Sequence, residues 1–152
     1  MAKVLVVDDD KSVREVYRDT LLTGAEPHEV HVAANGASAR EILADGDWDV
    51  VLADIIMPGE DGLELLRWIR LRNPSTRVIL VTGSPDVDTA SQARRLGAQE
   101  YLPKPVGCQA LRQAVSQAGR VAALERASRR PQGEAGANPK SAAPEPQGYE
   151  GA

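Results

Sequence analysis

Six side chains able to do chemistry stand at the ends of apolar runs. Asp8, Asp9 and Asp10 follow Lys3–Val7, Asp54 follows Val50–Ala53, Thr82 follows Val78–Val81, and Lys104 comes just after Tyr101–Leu102. If these runs are strands of one parallel sheet, acidic groups, a hydroxyl and an ammonium meet on a single rim. Clustered carboxylates without His or Cys favour a hard, oxygen-liking cation such as Mg²⁺. A carboxylate beside such a cation can act as a nucleophile. A lysine and a hydroxyl facing it can hold the oxygens of a transferred phosphoryl group, where negative charge has to be offset. Asp10 reads differently from its neighbours, as an exposed helper in the first turn of a helix.

The elements that must position these groups are legible as two alternating periods. Lys3–Val7, Val30–Ala33, Val50–Ala53 and Val78–Val81 are continuous apolar runs suited to strands buried on both faces, and Tyr101–Leu102 is a shorter fifth. Between them, apolar residues recur at helical spacing: Val13, Val16, Tyr17 and Leu21; Ala39, Ile42 and Leu43; Leu63, Leu66, Ile69 and Arg70, with Leu65 alongside. A more polar segment, anchored by Val87, Ala90 and Leu96, starts at Pro85-Asp86. There proline suits the first turn and the aspartate the positive helix end. Leu111, Val115, Ala118 and Ala122 mark a long last helix ending near Arg129, whose Val121 and Leu124 suit either the core or a partner face. Strand–helix alternation repeated five times implies an α/β domain with a parallel sheet covered on both faces. Its ligand crevice then lies at the carboxyl ends of the strands.

Composition narrows the function. The 152 residues carry 18 Lys+Arg against 22 Asp+Glu, a formal charge of −4. An acidic chain is a poor general binder of nucleic acid or anionic membrane. One cysteine, Cys108, excludes an intramolecular disulfide and a Cys-cluster zinc site, and two histidines are too few for a His-rich metal site. Cys108 reads as a small helix residue, buried or partly exposed, and His28 and His31 as surface strand residues. No apolar run approaches the roughly 20 residues that span a bilayer, and the N-terminus lacks a secretory h-region. A cytoplasmic protein is expected, with no membrane contact. Residues 131–152 hold four Pro and four Gly but no Leu, Ile, Val, Met, Phe or Trp. Such a segment cannot bury enough apolar surface to offset the entropy of ordering it. The expected organisation is a folded domain over 1–130 and a disordered tail over 131–152.

These residues carry a resemblance. Val6-Val7-Asp8-Asp9-Asp10, Asp54-Ile55-Ile56-Met57-Pro58-Gly59-Glu60-Asp61-Gly62, Val81-Thr82-Gly83 and Lys104-Pro105 resemble, in order and spacing, the receiver domain of two-component response regulators. The resemblance covers residues 3 to about 120, and Arg14 and Trp48-Asp49 also fit it. It implies a flavodoxin-like (βα)5 fold, a doubly wound parallel sheet of five strands in the order 2-1-3-4-5. By position it makes Asp54 the phospho-acceptor and Asp9 the direct Mg²⁺ ligand. Asp8 would assist through water, and the backbone carbonyl of Ile56 would complete the protein's ligands. Thr82 would hydrogen-bond the acyl phosphate, Lys104 would pair with it, and Thr82 and Tyr101 would form the switch. Val106 stands where the family often has Phe, and the chain has no Phe at all. Neither this nor Pro103 before Lys104 removes a functional group.

The implied function is a phosphorelay regulator. A histidine kinase or phosphotransfer protein would donate a phosphoryl group to Asp54, and a partner protein would read the changed surface of helix 4, strand 5 and helix 5. Such a protein is not a turnover enzyme, although it assists its own phosphorylation and dephosphorylation. The 22 residues beyond the domain are too few for a DNA-binding output, so output through protein contact is expected, or the chain is a receiver piece of a longer regulator. A homodimer formed on phosphorylation is compatible with either. A rival resemblance is to haloacid-dehalogenase-type phosphatases, with Asp8 as nucleophile and Asp10 as acid/base in Asp8-Asp9-Asp10-Lys11-Ser12. Ser12 is not the usual residue there, and the acidic stretch Gly46–Asp49 precedes the Thr and Lys motifs instead of following them.

Overall fold

A computed structural model describes residues 1–129. The chain alternates strictly: β1 (Lys3–Val7), α1 (Lys11–Leu22), β2 (Glu29–Ala33), α2 (Gly36–Leu43), β3 (Val50–Asp54), α3 (Gly62–Arg72), β4 (Arg77–Thr82), α4 (Val87–Arg95), β5 (Glu100–Pro103) and α5 (Cys108–Arg129). All neighbouring strands pair in parallel, in the order β2-β1-β3-β4-β5. This is the flavodoxin-like arrangement implied by the resemblance. The assignment of residues 131–152 to a tail falls outside the described residues.

Alternation along the central strands splits the core in two. Leu5, Val7, Val51, Ala53 and Leu80 pack beneath α2, α3 and α4, against Ala39, Leu43, Leu65, Leu66, Ile69 and Ala93. Val4, Val6, Val50, Leu52, Ile79 and Val81 point the other way, against Tyr17 and Leu21 of α1 and Leu111, Ala114, Val115 and Ala118 of α5. Burial on both faces is why β1, β3 and β4 read as unbroken apolar runs. β2 departs from that expectation. It is an edge strand, and of its five residues only Ala33 is buried.

Side-chain caps fix where helices begin. Asp10, Asn35, Asp61 and Asp86 each accept from backbone N–H groups of the following first turn, and Asp61 forms a reciprocal capping box with Glu64. Asp10 is thus the exposed cap of α1, as expected. Pro85 lies before the cap of α4 and not in its first turn, since Asp86 itself takes the cap.

Three side chains sit elsewhere than their pattern suggested. Val16 is 58% exposed because α1 buries the narrower stripe of Tyr17, Thr20 and Leu21. His28 precedes β2 and is buried, its Nδ1 accepting the Ala2 N–H at 3.0 Å; His31 is exposed as expected. Cys108 is exposed at the start of α5. On the same helix Leu124 is exposed and Val121 half-buried. No described helix is long and apolar enough to cross a membrane.

Candidate functional site

Parallel pairing puts every strand's carboxyl end on one rim, and the predicted residues meet there. Asp8 follows the last residue of β1 and is buried, with 2% of its surface exposed. Its Oδ1 accepts the Asp10 N–H at 2.8 Å and its Oδ2 accepts from Lys104 Nζ at 3.1 Å. Asp54 closes β3, also buried. Its Oδ2 accepts from Lys104 Nζ at 3.0 Å and its Oδ1 accepts the Ile56 N–H at 3.2 Å. Asp9 is exposed on the solvent side, and Asp8, Asp9 and Asp54 each bring a carboxylate oxygen within 4.8 Å of the others.

Local structure explains these positions. Arg14 donates from Nη1 to the Asp8 carbonyl at 2.7 Å, tying α1 back to the turn that carries the aspartates. After Asp54 the chain reverses tightly. The Gly62 N–H donates to the Ile55 carbonyl at 2.7 Å, and a Cβ on Gly62 would lie 2.5 Å from the Asp54 carbonyl oxygen. Only glycine allows that approach. Gly59 occupies the left-handed region, at φ +84°, at the tip of the same loop. Ile55 and Met57 are buried and hold the loop down, while the Ile56 side chain is 61% exposed beside the rim.

Thr82 ends β4, one register step past the Val81 that pairs with Asp54. It is buried, and its Oγ1 accepts the Ser84 N–H at 3.0 Å, which leaves its proton available to donate. Tyr101 lies on β5, opposite Leu80 of β4. Its ring packs on the core below α4, and its hydroxyl accepts the Asp86 N–H at 3.2 Å.

The electrostatics follow from three neighbouring carboxylates, two of which share one ammonium. Burial pushes the Asp8 carboxyl above its ordinary range, helped by the nearby charge of Asp54, although the Asp10 N–H and Lys104 pull the other way. Burial pulls the Lys104 ammonium down, but its bonds to Asp54 and Asp8 outweigh this and raise it. With all four groups ionised, Asp8, Asp9, Asp54 and Lys104 carry a net charge of −2. All the donors are oxygen, and one carboxylate faces solvent. The set therefore fits a divalent, oxygen-preferring ion such as Mg²⁺.

The structure thus brings Asp8, Asp9, Asp54 and Lys104 together and places Thr82 on the same rim. Asp10, the acid/base of the phosphatase alternative, is engaged as the α1 cap. Sequence reasoning did not foresee that Lys104 bridges Asp8 as well as Asp54. Nor did it foresee the brace that Arg14 provides; its one signal was that it fitted the family pattern.

Comparison with known proteins agrees with this geometry. The family model of the response regulator receiver domain matches residues 4–116. The response regulator protein FleR of Pseudomonas aeruginosa is 44% identical over 110 residues, 72% of this chain and 23% of that protein. The DNA-binding transcriptional regulator NtrC of Escherichia coli K12 is 47% identical over 102 residues, 67% of this chain and 21% of that protein. The chain therefore spans about a fifth to a quarter of the length of these relatives. Among solved structures, a response regulator receiver domain protein from Clostridium thermocellum superposes with a TM-score of 0.76 at 34% identity, covering 82% of this chain and 99% of that one. The receiver domain of a LuxO repressor protein from Vibrio parahaemolyticus reaches 0.78 at 26% identity, covering 85% and 98%. With its five parallel strands, its acidic rim and a family match across most of the fold, this chain belongs to the receiver domains of two-component response regulators.

Proposed function

We propose that the domain is a phosphorylation switch whose acceptor is Asp54. One observation supports this most: Lys104 Nζ lies 3.0 Å from the buried Asp54 carboxylate and 3.1 Å from the buried Asp8, in a cluster that with Asp9 carries a net charge of −2. An ammonium held against a nucleophilic carboxylate suits a reaction that gathers phosphoryl oxygens at that point.

In the transfer, an Asp54 carboxylate oxygen attacks phosphorus as the phosphorus–nitrogen bond of a donor phosphohistidine breaks. The imidazole leaves with the electron pair. Lys104 turns from the carboxylates to an incoming phosphoryl oxygen, and Thr82 donates its hydroxyl proton to another. Asp9, Asp54 and the Ile56 carbonyl would hold Mg²⁺ directly and Asp8 through water; when bound, the ion offsets charge on the phosphoryl group. The acceptor is regenerated by hydrolysis without a separate substrate being turned over, so the domain is a switch and not an enzyme.

The acyl phosphate carries about −1.5 to −2 charges where the Asp54 carboxylate carried about −1. Thr82 and Lys104 are drawn towards it, and Tyr101 follows the space that Thr82 leaves. The Tyr101 hydroxyl holds the Asp86 N–H at the start of α4. Moving the ring releases that bond and changes the α4–β5–α5 surface that a partner reads. The donor is a histidine kinase or a phosphotransfer protein.

A second reading concerns the whole molecule. Because the match covers only 21–23% of FleR and NtrC, and α5 continues to Arg129 beyond the matched residues 4–116, the domain also suits the receiver of a longer regulator. NtrC is described as DNA-binding, and in such a regulator that role would belong to another domain.

The test is phosphorylation by phosphoramidate with Mg²⁺. The wild type should gain one hydroxylamine-labile phosphoryl group by intact mass, and Asp54→Asn should gain none. Full labelling of Asp54→Asn would move the acceptor elsewhere.

A further inference from the structure

The loop that carries the Ile56 carbonyl is anchored at both ends, by the buried Ile55 and by the Gly62 N–H on the Ile55 carbonyl. Its middle, Pro58 and Gly59, is exposed and borders an open cleft shared with Asp9, Asn35 and Gly36. One side chain crosses that cleft. Glu60 reaches from the loop to α2, where its side chain is only 15% exposed, and pairs with the guanidinium of Arg40.

Two features make this pair specific. Gly36 opens α2, and a Cβ there would stand 2.4 Å from Glu60 Oε1 and 3.1 Å from Glu60 Cβ. The missing side chain is therefore the space in which Glu60 lies, across the first turn of α2, where a negative charge is favourable. Arg40, one turn on, is itself held over the Trp68 ring, with its Cζ 5.6 Å from the ring centroid. Trp68 belongs to α3, which leaves the loop at its far end. Loop, α2 and α3 are thus joined through Glu60, Arg40 and Trp68.

We propose that Arg40 and Glu60 are a positioning pair for the reaction at Asp54: they clasp the acceptor loop onto α2 and keep the Ile56 carbonyl in place to serve the metal site. This rests on the phospho-acceptor reading for its purpose, though not for its geometry. Neither residue touches the reacting atoms. Their effect is that of supports behind a ligand, whose removal weakens metal binding without removing a donor.

Charge alone makes the opposite forecast, which gives the test its power. Arg40→Ala deletes a positive charge near an acidic site, so simple Coulomb attraction would tighten Mg²⁺ binding. Loss of the clasp weakens it. Gly36→Ala changes no charge, suits a helix better, and displaces Glu60 by bulk. Two measurements on the folded full chain decide the matter. In the metal-free protein, hydrogen exchange of the Ile56–Asp61 amides should quicken in both variants, with the α3 amides unchanged. By calorimetric titration with MgCl₂, both variants should bind about tenfold more weakly, and Arg40→Lys should recover part of the loss. An Arg40→Ala protein that binds Mg²⁺ as tightly as the wild type or tighter overturns the clasp, as does unchanged loop exchange in both variants. Failure of the phospho-acceptor reading would show separately, as wild-type protein that binds Mg²⁺ but takes no phosphoryl group.

Discussion

The two rims of the sheet treat charge in opposite ways. At the amino rim opposite charges and hydrogen-bonding groups are matched around Asp49 and Trp48. Asp49 accepts the Lys3 N–H at 2.8 Å and Arg126 Nη1 at 2.7 Å. The Trp48 carbonyl takes the Thr76 hydroxyl at 2.7 Å and Arg126 Nη2 at 3.2 Å, and the Lys3 ammonium lies 4.5 Å from the centre of the Trp48 ring. At the carboxyl rim three carboxylates stand close together, and one lysine bridges two of them, Asp8 and Asp54. The first pattern fastens α5 and the strand starts together. The second leaves like charges close, with a buried Asp8 whose ionised form is disfavoured by its surroundings. An arrangement that lowers stability without a bound cation or phosphoryl group is the mark of a site, and the amino rim is the mark of a scaffold.

Mutation should separate the rims. Asp49→Ala leaves the Lys3 N–H and the Arg126 guanidinium without their acceptor in partly buried surroundings. It should lower the unfolding free energy by about 1–3 kcal/mol, read as a lower urea midpoint at unchanged slope. Asp8→Asn in the metal-free protein should leave the midpoint unchanged or raise it, because it removes a desolvated like charge. The comparison breaks if Asp8→Asn costs as much as Asp49→Ala.

Access to water distinguishes the rims too, and here the effect is kinetic. In the receiver family the side chains two positions after the acceptor and two after the conserved Thr flank the approach of a hydrolytic water; in this chain they are Ile56 and Ser84. Ile56 is largely exposed beside Asp54, and its side chain offers no group to orient a water. Ile56→Asn keeps the backbone carbonyl and adds an amide. Loss of the phosphoryl group from Asp54 should then quicken about tenfold, equivalent to about 1.4 kcal/mol of barrier. A phosphate-release time course at saturating Mg²⁺ measures it, and equal rates would show that Ile56 does not govern water access.

The carboxyl rim was more legible in the sequence than the amino rim, for a physical reason. Asp8, Asp9, Asp54, Thr82 and Lys104 each follow an apolar run, and a parallel sheet brings all such positions to one side whatever the packing details. Strand order came from the family resemblance, because periodicity alone does not say which strands are neighbours. β2 reads as buried on both faces when Val30, Val32 and Ala33 are taken as one short apolar run, which looks alike at a sheet's edge and at its centre; His31 between them is the sign of an exposed face. The links Arg126–Asp49, Arg14–Asp8 and Arg40–Glu60 join residues 77, 6 and 20 positions apart. An arginine's reach leaves no periodic trace. His28 was read as a surface residue for the same reason: its partner, the Ala2 N–H, is set by the pairing of β1 with β2 and not by local sequence.

That histidine supplies the smallest effect and a pH signature belonging to the amino rim. His28 is buried, with Nδ1 accepting the Ala2 N–H, so its ring must be unprotonated at that nitrogen. Burial holds its pKa below the ordinary 6.5, and the positive N-terminus adds to this while Glu26 opposes it. Above that ordinary value the ring is neutral in both folded and unfolded chains, and its contribution to stability is fully present. As the pH falls through 6.5 the unfolded chain takes up a proton first, so stability is lost. The loss continues until the lower folded pKa is reached, and then levels off. Urea midpoints measured from about pH 7.5 to about pH 5.5 should therefore fall more steeply in a His31→Gln background than when His28→Gln is added, because glutamine keeps an acceptor for the Ala2 N–H and does not titrate in that range. Parallel curves for the two proteins would mean that the fold does not resist protonation of His28, and that the pairing at the amino rim tolerates a charge there after all.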